Sequence, residues 1–145
     1  METPTAVDQV LELVSLLHRD MALSFERDGL TEARAHLLWV LRDGPVTQRH
    51  LADALGVTPR NITGLVDGLV DSGHVVRRRH PTDRRATHVD LTPEGRRATD
   101  AMVEGYAEMH DVLFGGLSAR QLAAFRRTLD AVLDRLRARL QEEWG

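Results

Sequence analysis

Arg60, Asn61 and Thr63 follow directly on a Thr58-Pro59 pair. Side chains of these types can read the edges of nucleic-acid bases. Arginine can bond both acceptors of a guanine, asparagine pairs with an adenine, and threonine serves either. A second group lies close behind. From His74 to Arg85 the chain holds five arginines (Arg77, Arg78, Arg79, Arg84 and Arg85) and one aspartate, Asp83, a local charge of +4 with histidine neutral. The whole chain carries −3, so the remainder sums to −7 and the basic charge is strongly localised. A charge run by itself is as readily a solvated face. Next to a base-reading group it suits the crossing of phosphates.

The elements that must hold these residues are marked by their own punctuation. Thr47 is a helix cap, and Leu51, Ala52 and Leu55 form the inner face of a short helix that Gly56 ends. Thr58 is a second cap with Pro59 at the first helical position, where its missing N–H costs nothing. The helix that follows runs to about Ser72, ahead of Gly73, with Ile62, Leu65, Val66, Leu69 and Val70 as its buried stripe. Arg60, Asn61, Thr63, Gly64, Asp67 and Gly68 fall on the other side. Two β-capable runs around a Pro81-Thr82-Asp83 turn then predict a two-stranded hairpin over 74–91. Helix, helix, tight turn, helix and basic hairpin over 31–91 is the order of a winged helix-turn-helix. In that arrangement the N-terminal part of the second helix meets bases in the major groove and the wing places arginine in the adjacent minor groove. The expected DNA-facing residues are Thr58, Pro59, Arg60, Asn61, Thr63, Gly64, Arg79, Asp83, Arg84 and Arg85. Gly64 and Gly68 each cost the helix about 1 kcal/mol relative to alanine. Close approach of the backbone to phosphate is one reason to tolerate them, and sequence drift is another.

Three stretches together make the chain resemble the MarR family of bacterial transcriptional regulators over nearly its full length. They are Gly56-Val57-Thr58-Pro59-Arg60-Asn61-Ile62-Thr63-Gly64-Leu65-Val66-Asp67, the wing signature Asp83-Arg84-Arg85, and Leu91-Thr92-Pro93-Glu94-Gly95. The resemblance implies that Arg85 is the minor-groove arginine, that Asp83 orients it, and that Arg60, Asn61 and Thr63 lie on the reading face. Family members often carry a basic residue where Gly68 stands, so the resemblance carries no phosphate contact to that position. The implied fold is mainly α, with a small β-hairpin wing and dimerisation helices at both ends. The implied function is a repressor that binds DNA as a homodimer and answers to a small molecule.

Composition narrows the alternatives. With 145 residues, 42% of them hydrophobic, one ordinary core is expected, in a single MarR-type domain over 1–145. No apolar run approaches a membrane span and no leader pattern opens the chain, so a cytoplasmic protein is expected. Zero cysteines exclude a thiol switch, a disulfide and a thiolate metal site. All nineteen basic residues are arginine, which a genome rich in G and C explains without appeal to function. No nucleophile elbow, phosphate loop or dinucleotide fingerprint is present, so no enzyme and no cofactor is expected.

The flanks at 5–28 and 93–142 read as a helical dimerisation lobe. Val7, Val10, Leu11, Val14, Leu17, Met21 and Phe25 keep helical spacing from Thr5 to about Phe25, and Thr31 caps the next helix. A long helix from about Pro93 to Phe114 places Ala98, Ala101, Met102, Tyr106, Met109 and Leu113 on one side. Ser118 and Gln121 form a capping box after Gly115-Gly116, and Leu122, Phe125, Leu129, Val132, Leu133, Leu136 and Leu140 run close to a heptad seam. These faces exceed what a small winged helix covers, and a second copy of the chain is the economical cover. A monomer that folds them over its own core is the alternative.

Candidate effector contacts are His18, Met21, His36, Trp39, Met102, Tyr106 and Met109, although Met and aromatic residues at helical spacing are more often core. An apolar, aromatic or phenolic acid suits Trp39 and Tyr106. Seven histidines raise a metal-responsive alternative through His18, His36 and His110, but no metal-binding spacing supports it and no metal ligand is assigned. A winged helix that docks protein without specific DNA binding is the remaining alternative.

Overall fold

Each helix opens on a side-chain cap that the sequence supplies. In the computed structural model, which describes residues 2–79, 81–82 and 86–145, Thr5 and Asp8 form a capping box at the start of α1 (Ala6–Arg27). Thr31 accepts from the Arg34 N–H to start α2 (Glu32–Leu41). Thr47 starts α3 (Gln48–Leu55), and Gly56, at φ 66°, ends it in the left-handed conformation that glycine adopts without steric cost. Thr58 and Pro59 start α4 (Pro59–Asp71) as expected. The wing strands are β2 (Val75–Arg79) and β3 (Thr87–Leu91). Thr92 accepts from the Gly95 N–H at the head of α5 (Pro93–Phe114), and the Ser118–Gln121 capping box opens α6 (Ala119–Trp144).

Among the described residues the sheet has three strands rather than the expected two. β1 (Val46–Thr47) pairs antiparallel with β3, Val46 opposite Val89, so β3 is central and the order is β1-β3-β2. Two residues give no alternation to read, and their partner lies more than forty positions away. β2 and β3 pair from Val75 opposite Leu91 to Arg79 opposite Thr87.

The described chain forms two compact units, Met1–Ala101 and Met102–Gly145. The core of the first is built from α2, α3, α4 and the sheet: Leu37, Leu38, Leu41, Leu51, Ile62, Val66, Leu69, Val75 and Val89 are all buried. Burying such side chains stabilises by about 1.5–3 kcal/mol each, relative to exposure. Of the stripe expected on α4, Leu65 is half-buried and Val70 is 37% exposed. Val70 lies about 80° around the helix from Ile62, at the margin of the face that α2 and α3 cover. The head of α5 docks through Gly95 and Thr99, both buried, which the apolar spacing of that helix did not indicate. A Cβ at Gly95 would collide with the His74 carbonyl, so this helix approaches the turn before β2 too closely for any other residue.

α1 and α6 contain no buried residue in the single chain. Val10, Leu11 and Val14 on α1 are 50–62% exposed, and Val132, Leu136 and Leu140 on α6 are 46–53% exposed. Within the second unit, Phe114 packs on His110 and on Phe125, with ring centroids 5.3 and 5.5 Å apart. Among the described residues no helix is long and apolar enough to cross a membrane.

Candidate nucleic-acid interface

Ile62, Val66 and Leu69 turn one side of α4 into the core. The helical period then leaves Arg60, Asn61, Thr63, Gly64 and Asp67 in solvent. Arg60, Asn61, Gly64 and Leu65 line an open groove together with Val57, so the first two turns of α4 present a shallow floor between two polar side chains. Among the described residues no other group bonds the Arg60 or Asn61 side chains. The Thr58 hydroxyl accepts from the Asn61 N–H (3.1 Å) and Pro59 occupies the first turn, so these two set the start of α4 beside Arg60 and Asn61.

Thr63 is differently placed. Its hydroxyl donates to the Pro59 carbonyl (2.9 Å) and accepts from Gln48 Nε2 (2.8 Å). Gln48 Oε1 in turn accepts from Arg77 Nε (3.2 Å), and Arg77 Nη2 reaches the Asp67 carboxylate at 2.6 Å and the Thr63 carbonyl at 3.4 Å. One network therefore joins the head of α3, the flank of α4 and the wing strand β2. Sequence reasoning missed Gln48, Asp67 and Arg77 as a unit. A signal existed for Arg77, because alternation along β2 puts it on the same side as buried Val75, facing the helix. Nothing in the sequence marked Gln48.

The basic hairpin is thus not uniformly free. Arg77 is paired with Asp67, and Arg78 lies 3.9 Å from Asp90 on the opposite face of the sheet. Arg79 is exposed, with no ion pair among the described residues. Asp83, Arg84 and Arg85, the expected wing tip, lie outside the described residues.

The expected effector contacts are spread over both units. In the first, His18 and Met21 line a small depression with Ala22, Phe25 and Glu32, and His36 is exposed. Trp39 is half-buried beneath the Arg42 guanidinium, 3.9 Å from its ring centroid, so a cation already covers one face of the indole. In the second, Met102 and Met109 are half-buried and Tyr106 is 73% exposed. Among the described residues no group of three or more histidines and carboxylates is placed to hold a metal ion.

A family model described as "MarR family" matches residues 28–86, the stretch that carries α2 to the wing. The HTH-type transcriptional repressor YetL of Bacillus subtilis (strain 168) is 30% identical over 77% of this chain and 69% of its own length. Two crystal structures share the fold. MepR, a transcription regulator of the Staphylococcus aureus multidrug efflux pump MepA, superposes with a TM-score of 0.78 at 20% identity, over 92% of this chain and 99% of that one. Streptococcus pneumoniae FabT in complex with DNA gives 0.75 at 21% identity, over 91% and 98%.

Proposed function

The chain belongs to the MarR family of DNA-binding transcription regulators, which are not enzymes, and from that premise we propose that it is a repressor whose homodimer occupies a pseudo-palindromic operator and leaves it when a small molecule binds. The observation that carries the DNA reading is the open face of α4. Among the described residues Arg60 and Asn61 stand there without side-chain partners, on a helix whose cap and first turn are fixed by Thr58 and Pro59. Arg60, Asn61 and Gly64 are assigned to the major groove, with Thr63 held between Gln48 and Pro59 at the edge of that face. Arg79, Arg84 and Arg85 are assigned to the wing's DNA side and Asp83 to orienting Arg85. YetL is a transcriptional repressor, and that role is extended here to this chain.

The homodimer is supported by the apolar faces of α1 and α6, which the single chain leaves in water. A two-fold dimer sets its recognition helices on half-sites about one helical turn, roughly 34–36 Å, apart. An effector works by favouring a dimer with a different separation, and the coupling available to it is typically about 1–3 kcal/mol. An aromatic or phenolic acid remains the proposed class, with His18, Met21, His36, Trp39, Met102 and Tyr106 as the residues to probe.

Selection of bound duplexes from a random pool tests the reading. Enrichment of an inverted repeat with that half-site spacing supports it. Recovery of no preferred sequence, with binding that ignores salt, contradicts it and favours a wing that docks protein.

A further inference from the structure

The two flanks of α4 carry an arginine each, and the two are in opposite electrostatic states. On the flank towards β2, Arg77 is neutralised by Asp67 and bonded to Gln48. On the other flank Arg34 reaches across from α2 and lays its guanidinium over Gly68. A Cβ at Gly68 would stand 2.9 Å from Arg34 Cζ and closer still to Nη2, so the guanidinium occupies the space that a side chain at 68 would take. Gly68 follows Asn61 and Gly64 by seven and four residues, which puts it on their stripe of the helix. Arg34 therefore sits at the far end of the face that begins with Asn61. Its side chain is half-buried and has no hydrogen bond or ion pair among the described residues, so its donors are unspent.

We propose that Arg34 is a DNA-phosphate ligand of this protein, reaching from α2 the strand that borders the major groove opposite the wing. A helix with its side chains is about 10–12 Å across and the groove is about 12 Å wide, so both bordering phosphate rows lie within reach of groups on the helix flanks. An arginine that Asp67 already neutralises has little to offer a phosphate. A guanidinium that lies over Gly68 and is unpaired among the described residues has its charge and its fork of donors available. The cation that position 68 itself lacks is thereby supplied by another helix, and the DNA-binding surface extends beyond the helix-turn-helix and wing to α2.

The proposal rests on the DNA reading above and is tested so that the two can fail separately. The probe is a mixed-sequence duplex, because a phosphate contact needs no operator. Affinity is measured against salt for the full-length parent, Arg34→Met, which keeps the apolar stem, and Arg34→Lys, which keeps the charge; melting temperatures are recorded alongside. The expected result is a log–log salt slope shallower by about 0.9 per protomer in Arg34→Met and unchanged in Arg34→Lys. A parental slope in Arg34→Met, whatever its melting temperature, overturns the proposal and leaves the DNA reading intact. A parent with no salt-dependent binding overturns both. If Arg34→Met unfolds at the assay temperature, Arg34→Gln carries the same comparison with the same two outcomes.

Discussion

Arg77 on β2 meets Asp67 on α4 with 2.6 Å between nitrogen and oxygen, and this contact ties the wing strand to the side of α4. The pair is partly exposed, at 32% for Arg77 and 57% for Asp67, so its worth to folding is small, about 0–1 kcal/mol after solvent screening. Its consequence is geometric. Gln48 and Thr63 extend the same contact to α3 and to the first turn of α4, so β2 and the start of α4 share one hydrogen-bonded network.

Arg77→Met is therefore expected to leave the melting temperature nearly unchanged while weakening DNA binding about tenfold, or about 1.4 kcal/mol. Asp67→Asn should do the same, and the double variant should lose no more than either single one, since both remove one interaction. Additive losses in a binding cycle would show that Arg77 contacts DNA directly instead of through Asp67.

Gly95→Ala should destabilise the protein by about 1–3 kcal/mol. The new methyl meets the His74 carbonyl, a backbone atom that cannot swing aside, and the same turn also accepts from Thr92 through Gly73. Urea denaturation checks this. A midpoint equal to the parent's would mean that α5 docks more loosely than described.

Leu136→Arg places a charge in the proposed seam of α6, where the side chain is 53% exposed in the single chain. An unpaired charge buried at an interface costs about 3–5 kcal/mol. Sedimentation should accordingly find the variant monomeric at concentrations where the parent is dimeric. An undisturbed dimer would remove α6 from the interface.

The Asp8 carboxylate is held below the usual range, first by the Thr5 backbone N–H at 2.7 Å and then by the Thr5 hydroxyl at 2.8 Å. A folded-state pKa below the unfolded one means the stabilisation of the α1 head is present above the ordinary aspartate pKa and is lost as pH falls through the folded value. Carboxyl chemical shifts should show Asp8 titrating lower than an unstructured aspartate and moving upward in Thr5→Ala. An Asp8 midpoint at the ordinary value would contradict the capping box.

What the sequence revealed was local, and what it hid was not. Thr47, Gly56, Thr58-Pro59 and the Ser118–Gln121 box each act within one helical turn, and each reads as a cap or a stop without knowledge of the rest of the chain. The open face of α4 follows from its period in the same way. β1 went unread because its pairing with Val89 decides its state, and Val70 was misplaced because the period alone does not say how wide the covered stripe is. The Gln48–Thr63–Arg77–Asp67 network spans about thirty positions, and Arg34 over Gly68 spans a similar distance. Gly68 read as a missing cation; in the fold it is the seat of one from α2.

The central claim is that Arg60 and Asn61 on α4 read bases. The most direct test is fluorescence anisotropy on duplex DNA flanking the protein's own gene, or on a selected site, at about 150 mM salt with nonspecific competitor. Asn61→Ala should relax choice at one base pair per half-site by about 1–3 kcal/mol and leave nonspecific binding alone, whereas Arg85→Ala should weaken binding to every sequence. An Asn61→Ala, Arg60→Ala double variant that discriminates its site as well as the parent would contradict the account.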